Sequence, residues 1–340
     1  MLAAILSSPR SIRVCETQSP SMESVDALVR VRATALCGTD VNIYDGHYDV
    51  RYPLIMGHEA TGYVEKVGPK VAKISPGERV AINPVFFCGH CRLCVEGKQN
   101  LCLNGGLLGR DKAGTMAEYV ALPETLLTVL PGNIGFEEGT LIQLLSTVLH
   151  AFRKIEPVEG KIVTILGQGA SGLLFTYLCK LYGAAEIITV SRSAWKLSLS
   201  SKLGATKTVD ANDTNVEEEV LKRIPGMIGS DIVIESAGTP KTINQSFEIV
   251  KRAGTLLFFG ISSERLQAFS TFPIYFKEIT VLGSRAATPS DFERSAKLAG
   301  KGDLDLKPFV TRVFELDAVG EVFRLLSSRS DQALRFVVKI

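Results

Sequence analysis

Along the first 150 residues, apolar side chains come in short runs that alternate with polar ones and are cut by glycine and proline, as in Ala27 to Ala33, Gly62 to Val67 and Arg79 to Ile82. A period of two marks strands with one buried face, so this part of the chain is predicted to be a compact β-rich unit. The opening Met1 to Leu6 is apolar but has no basic segment before it and no small-residue cleavage site after a long core, and it reads as a first strand rather than a secretion signal. From Gly160 the pattern changes. Lys161 to Leu166 reads as a buried strand, Ala170 to Tyr182 as a helix and Glu186 to Val190 as a strand again, with further strands at Asp231 to Glu235, Thr255 to Phe259 and Ile279 to Gly283. Buried strands alternating with helices predict a parallel, doubly wound sheet. Beyond it lie an amphipathic segment, Ser290 to Gly300, and two strands near Val310 and Phe336; periodicity alone does not say which unit they join.

Composition narrows the function without naming it. The 340 residues, 46% hydrophobic and 22% charged, are enough for two domains with sizeable cores. A net charge of +2 with no long basic or acidic run argues against nucleic acid or an anionic membrane surface as partner, and no run reaches the length of a spanning helix. A cytoplasmic enzyme with small-molecule partners is expected.

The chemistry is concentrated in three places. Cys88, Cys91, Cys94 and Cys102 have spacings that close a tetrahedral thiolate site, which reads as a structural zinc lobe; a pair of disulfides is the lesser alternative in a chain without secreted, disulfide-dense character. Gly167-Gln-Gly169-Ala170-Ser171-Gly172 follows the first parallel strand and opens the first helix, the context in which glycines let backbone amides approach a pyrophosphate at a helix N-terminus. The tip of the second strand, Ser191-Arg192-Ser193, has no acidic residue to hold a free ribose 2′-hydroxyl. It offers a guanidinium with Lys196 nearby, so NADP is favoured over NAD. Ser236-Ala237-Gly238 and Gly260-Ile-Ser262, at later strand ends, are expected to line the same cleft. In the first unit, Cys37-Gly-Thr39-Asp40 and His58-Glu59 bring together the donor types of a catalytic zinc with an open position.

With these motifs, together with Gly57 to Gly62, Gly77 to Val80 and Leu282 to Phe292, the chain resembles the zinc-dependent medium-chain dehydrogenases over its whole length, in the polyol, threonine and sugar-acid branch. The resemblance implies an α/β protein with a GroES-like β-rich catalytic domain at 1–150, rejoined by 287–340, and a Rossmann dinucleotide-binding domain at 151–286. It implies a zinc held by Cys37 and His58, with Glu59 as a ligand or neighbouring carboxylate, Thr39 holding the substrate oxygen and Asp40 orienting His58. It places Tyr44, His47 and Arg285 near a polyhydroxy substrate, and it implies homodimers or homotetramers paired through the last strands of the nucleotide sheets.

Two residues depart from the branch. Gln143 stands where relatives carry a glutamate, and it offers the metal a neutral carbonyl. Asn42 replaces a histidine of the proton path; an amide does not titrate near neutral pH, so the relay is expected to run through Thr39, the cofactor ribose and water. The expected activity is hydride transfer between a secondary alcohol of a polyol, sugar or sugar acid and a nicotinamide cofactor. Two other readings stay open on the sequence alone: a lyase or epimerase using transient oxidation, and a nucleotide-binding protein that has lost the chemistry.

Overall fold

The alternation at Ala27 to Ala33 belongs to the strand Asp26–Leu36, whose Ala27, Val29, Val31, Ala33 and Ala35 are buried. In this computed structural model, which describes residues 1–212, 215–262, 264, 270–328 and 333–340, the chain separates into two units: Met1–Ser146 with Ala286–Ile340, and Thr147–Arg285. In the first unit a mixed sheet runs Leu127–Val129, Arg79–Ile82, Glu59–Val67, Asp26–Leu36, Arg335–Lys339, Val310–Glu315, with Tyr119–Pro123 also paired to Asp26–Leu36. Two registers set the geometry of this sheet's corner: Ala35 is opposite Glu59, and Leu36 is opposite Phe336. The end of one strand therefore meets the beginnings of its two neighbours, which come from distant parts of the sequence. Apolar clusters hold the corner together. Leu36, Met56, Phe323 and Phe336 pack in one of them, and Val29, Val31, Val64 and Val80 in another.

The second unit is a six-stranded parallel sheet ordered Lys207–Asp210, Glu186–Ser191, Ile162–Leu166, Ser230–Glu235, Val250–Phe258, Thr280–Gly283. Its first strand in sequence is central, and the chain runs outward first to one side and then to the other. The reversal leaves a crevice at the carboxyl ends of Ile162–Leu166 and Ser230–Glu235. The Val250–Phe258 strand starts five residues before the apolar run that signals it, because Lys251 to Gly254 is polar and irregular: pairing slips between Ser230 and Ile232, and Ala253 takes a φ of 55°.

Candidate functional site

Cys37 follows directly from the end of Asp26–Leu36 and caps the helix Gly38–Tyr44, its Sγ accepting the amide of Thr39 at 3.2 Å. Its own amide donates to Asp40 Oδ2 at 2.9 Å, closing a capping box that fixes the cysteine backbone. His58 precedes the Glu59–Val67 strand, after a turn at Gly57 with φ 92° where a Cβ would press on Met116 and Thr115. Cys37 Sγ lies 3.2 Å from His58 Nε2, and the donor atoms of Cys37, His58 and Glu59 all lie within 4.8 Å of one another. On the far side of the ring, His58 Nδ1 faces Asp40 Oδ1 at 3.2 Å, both buried. Burial works against charge on both groups, but each outweighs it for the other. With help from Cys37, Asp40 holds His58 well above the usual imidazole range, and His58 holds Asp40 below the usual carboxylate range.

Glu59, only 1% exposed, is gripped from the tail of the chain. Arg335 Nε donates to its Oε2 at 2.9 Å and Nη2 to its Oε1 at 3.4 Å. Burial opposes the arginine's charge, yet Glu59, Cys37 and Asp40 raise its pKa, so it stays a cation beside three acidic groups. Sequence reading missed Arg335, and no local signal marks it: it lies 276 residues from Glu59 and reaches it only through the strand register.

Cys88, Cys91, Cys94 and Cys102 gather their sulfurs within 4.8 Å of one another, and all are free thiols. Sulfurs 3.5 Å apart at Cys88 and Cys102 and 3.8 Å apart at Cys91 and Cys102 are close to the edges of a tetrahedron with metal–sulfur bonds of about 2.3 Å. Amides of His90 and Cys91 bring the Cys88 thiol down to about 6, while burial, with neighbouring thiols, pushes Cys94 up to about 12. A site that favours thiolate at one corner and disfavours it at another is what four crowded sulfurs give until a cation balances them.

In the second unit, a cavity of about 580 Å³ opens at the crevice. Gly167, Gly169, Ser191, Arg192, Ser193, Lys196 and Ala237 line it, while the other residues expected there, Ala170, Ser171, Gly172, Gly260 and Ser262, do not. Gly172 instead serves packing, since a Cβ there would collide with the Gly167 carbonyl. Gly260 donates its amide to the Glu235 carbonyl at 2.9 Å and leaves no room for a side chain against Gly238. The Glu235 carboxylate accepts the amides of Ala237 and Gly238 and the Thr242 hydroxyl on one oxygen, and burial raises its pKa in spite of them. Among the described residues the cavity lining has no Asp or Glu, and Lys196, half-buried, has its pKa lowered by burial. Gln168, Lys241 and Gln245 also line it. The first sits inside the glycine motif, but the other two come from the helix Pro240–Ile249, and no pattern in the sequence ties that helix to the ligand. Gln168 accepts the Thr176 hydroxyl on its Oε1 and buries an Nε2 with no partner among the described residues.

Of the residues placed near the substrate, Tyr44 is turned away from that role. It is 5% exposed, stacks on Phe323 at 4.7 Å and donates its hydroxyl to the Arg10 carbonyl, because the turn that ends its helix points it into the core. His47 and Asn42 are exposed and share a backbone hydrogen bond, Arg285 is exposed at the end of the second unit, and Gln143 is half-buried in the helix Leu141–Phe152.

Two family models match the chain: the alcohol dehydrogenase GroES-like domain over residues 23–132 and the zinc-binding dehydrogenase over residues 170–301. Among curated proteins, it is similar to the sorbitol dehydrogenase of Bacillus subtilis (27% identity, 99% of this chain and 97% of that protein). The D-arabitol-phosphate dehydrogenase of Enterococcus avium is 30% identical, over 89% of this chain and 87% of that protein. Among solved structures, a Sinorhizobium meliloti 1021 protein described as a zinc-binding dehydrogenase, with NADP bound, superposes at a TM-score of 0.93 with 32% identity, covering 100% and 99% of the two chains. Galactitol-1-phosphate dehydrogenase of Escherichia coli also superposes at 0.93, with 25% identity and 99% of each chain covered.

Proposed function

The chain belongs to the zinc-dependent medium-chain dehydrogenase family, in its polyol branch, and from that footing we propose that it transfers hydride between a secondary alcohol of a sugar alcohol, sugar or sugar acid and a nicotinamide dinucleotide, NADP in preference to NAD. The observation that carries this is the convergence of Cys37, His58 and Glu59, with a cysteine sulfur, an imidazole nitrogen and a carboxylate oxygen within 4.8 Å of one another. That donor set fits zinc, and Cys88, Cys91, Cys94 and Cys102 fit a second, structural zinc. When bound at Cys37 and His58, zinc supplies Lewis acidity to a hydroxyl oxygen.

The chain's own residues do the rest. Asp40, its Oδ1 3.2 Å from Nδ1 of His58, favours a proton on that nitrogen, which selects the tautomer and turns Nε2 toward Cys37. Arg335 holds Glu59 and offsets the negative charge that Cys37, Glu59 and Asp40 put in one place. Thr39, fixed by its amide to Cys37, would offer its hydroxyl to the substrate oxygen and begin the proton path, while Asn42, an amide, takes no part in it as an acid or base. Gln143 adds a neutral carbonyl. Arg192 and Lys196, in a cavity lined by no carboxylate among the described residues, support a 2′-phosphate, and the buried donor of Gln168 supports a polyanion there.

Two features of the second unit support pairing with a second copy. Thr280–Gly283 is an edge strand, and Phe272, Tyr275 and Phe276 beside it expose 52–79% of their surface. Turnover of a panel of sugar alcohols and sugar acids, with each cofactor, tests the proposal. Reduction of NADP, faster than of NAD and abolished by a chelator, is expected; no reduction with any member would contradict it.

A further inference from the structure

Gln245 is 5% exposed on the helix Pro240–Ile249 and lines the same cavity as the glycine loop and the Ser191 to Ser193 strand tip. Its Nε2 donates to Glu217 Oε2, on the helix Val216–Lys222, at 3.2 Å. A carboxylate only accepts, so this bond decides which way round the amide stands: the NH2 end faces Glu217, and the carbonyl oxygen is the acceptor at the other end of the amide. Among the described residues, the charged side chains that line the cavity, Arg192, Lys196 and Lys241, are all donors, which makes an oriented acceptor among them a point of discrimination.

We infer that Gln245 reads the base of the dinucleotide, accepting a hydrogen bond from the exocyclic amine of adenine; the inference rests on the proposal that this cavity takes a nicotinamide dinucleotide. The placement follows from the chain. The glycine loop takes the pyrophosphate and the strand tip the ribose. The base then lies beyond the ribose, between the tip and the helix that bears Gln245, where Val190 and Ala211 offer it apolar surface. A purine with a carbonyl at the same position puts acceptor against acceptor, and the Glu217 bond prevents Gln245 from turning its amide to suit. Gln245 is thus a specificity-determining residue and Glu217 a positioning residue acting through it.

Binding of NADP and of its hypoxanthine analogue is compared by calorimetry in the intact protein, in Gln245→Met and in Glu217→Ala. The wild type is expected to prefer the adenine form by roughly tenfold, as for one well-placed hydrogen bond. Gln245→Met brings the ratio close to one by weakening the adenine form. Glu217→Ala lowers it with Gln245 intact, because the freed amide can turn. A merely structural role would move both affinities together and leave the ratio unchanged. Equal binding of the two forms by the wild type, or an undiminished preference in Gln245→Met, would overturn the inference. Binding of neither form would overturn the cofactor reading, and the inference with it.

Discussion

At the scale of single residues, the centre of the first unit is a balance of buried charges. In the metal-free protein the Asp40 contribution to stability is present above its ordinary 3.8 and lost as pH falls through its lower folded value. The His58 contribution is complete below 6.5 and lost as pH rises through its higher folded value. The pair therefore stabilises the apo protein most between 3.8 and 6.5. The difference in melting temperature between wild type and Asp40→Asn, measured with a chelator, should be largest in that window and shrink toward alkaline pH; a constant difference would count against it. Arg335→Ala leaves Glu59 buried without its cation, at a cost of about 3–5 kcal/mol. Because a metal at Cys37 and His58 would restore some of that positive charge, added zinc should raise the melting temperature of the variant more than that of the wild type. Equal shifts would mean that Glu59 does not sense the metal. In the second unit, Arg192→Ala combined with Lys196→Ala should raise the KM for NADP by roughly tenfold or more and leave that for NAD nearly unchanged, the pattern expected for a lost phosphate contact. The four lobe cysteines could be singled out from residue type and spacing, and Cys37 and His58 only together with that lobe and the glycine loop. Arg335 and Gln245 could not, since each acts through a partner that only folding brings near.

At the scale of elements, what could be read was set by periodicity. The strands Arg79–Ile82 and Ile162–Leu166 and the helix Ala170–Leu181 follow their apolar patterns closely, since burial of those side chains is what selects the element. Where the chain bends or bulges, as at Lys251 to Gly254, the pattern fails and only part of the strand was visible. Tyr44 shows a different limit. Its chemistry suited a substrate contact, but the residue falls on the buried face of a short helix, and packing against Phe323 decided its place. The glycine motif was legible because three physical demands coincide there, although its third glycine answers to packing rather than to the ligand. Gly172→Ala should therefore push the helix Ala170–Leu181 from the Gly167 turn and weaken dinucleotide binding by roughly tenfold or more, leaving the metal content of the cysteine lobe unchanged. Calorimetry and metal analysis on the same preparation would check this, and unaltered binding would show that the turn tolerates the shift.

At the scale of the whole molecule, the register of one sheet does most to define the chemistry. Asp26–Leu36 pairs on one side with Glu59–Val67 and on the other with Arg335–Lys339, so a cysteine, a histidine, a glutamate and an arginine from the beginning and the end of the chain share one corner. Periodicity showed two strands near the C-terminus but could not say which sheet they would enter, because pairing between distant strands leaves no local trace. Cys37 Sγ lies 3.2 Å from both His58 Nε2 and the Thr39 amide, an arrangement that the proposed metal-assisted chemistry uses and that nucleotide sensing alone would not require. The most direct test is the zinc content per chain of the wild type and of Cys37→Ser, measured on the same samples as turnover with a sugar-alcohol panel. The two donor clusters predict two zinc ions per chain, falling to one in the variant with turnover abolished. One zinc in both proteins, with no turnover in either, would contradict the account and leave a dehydrogenase fold that keeps its cysteine lobe without the chemistry.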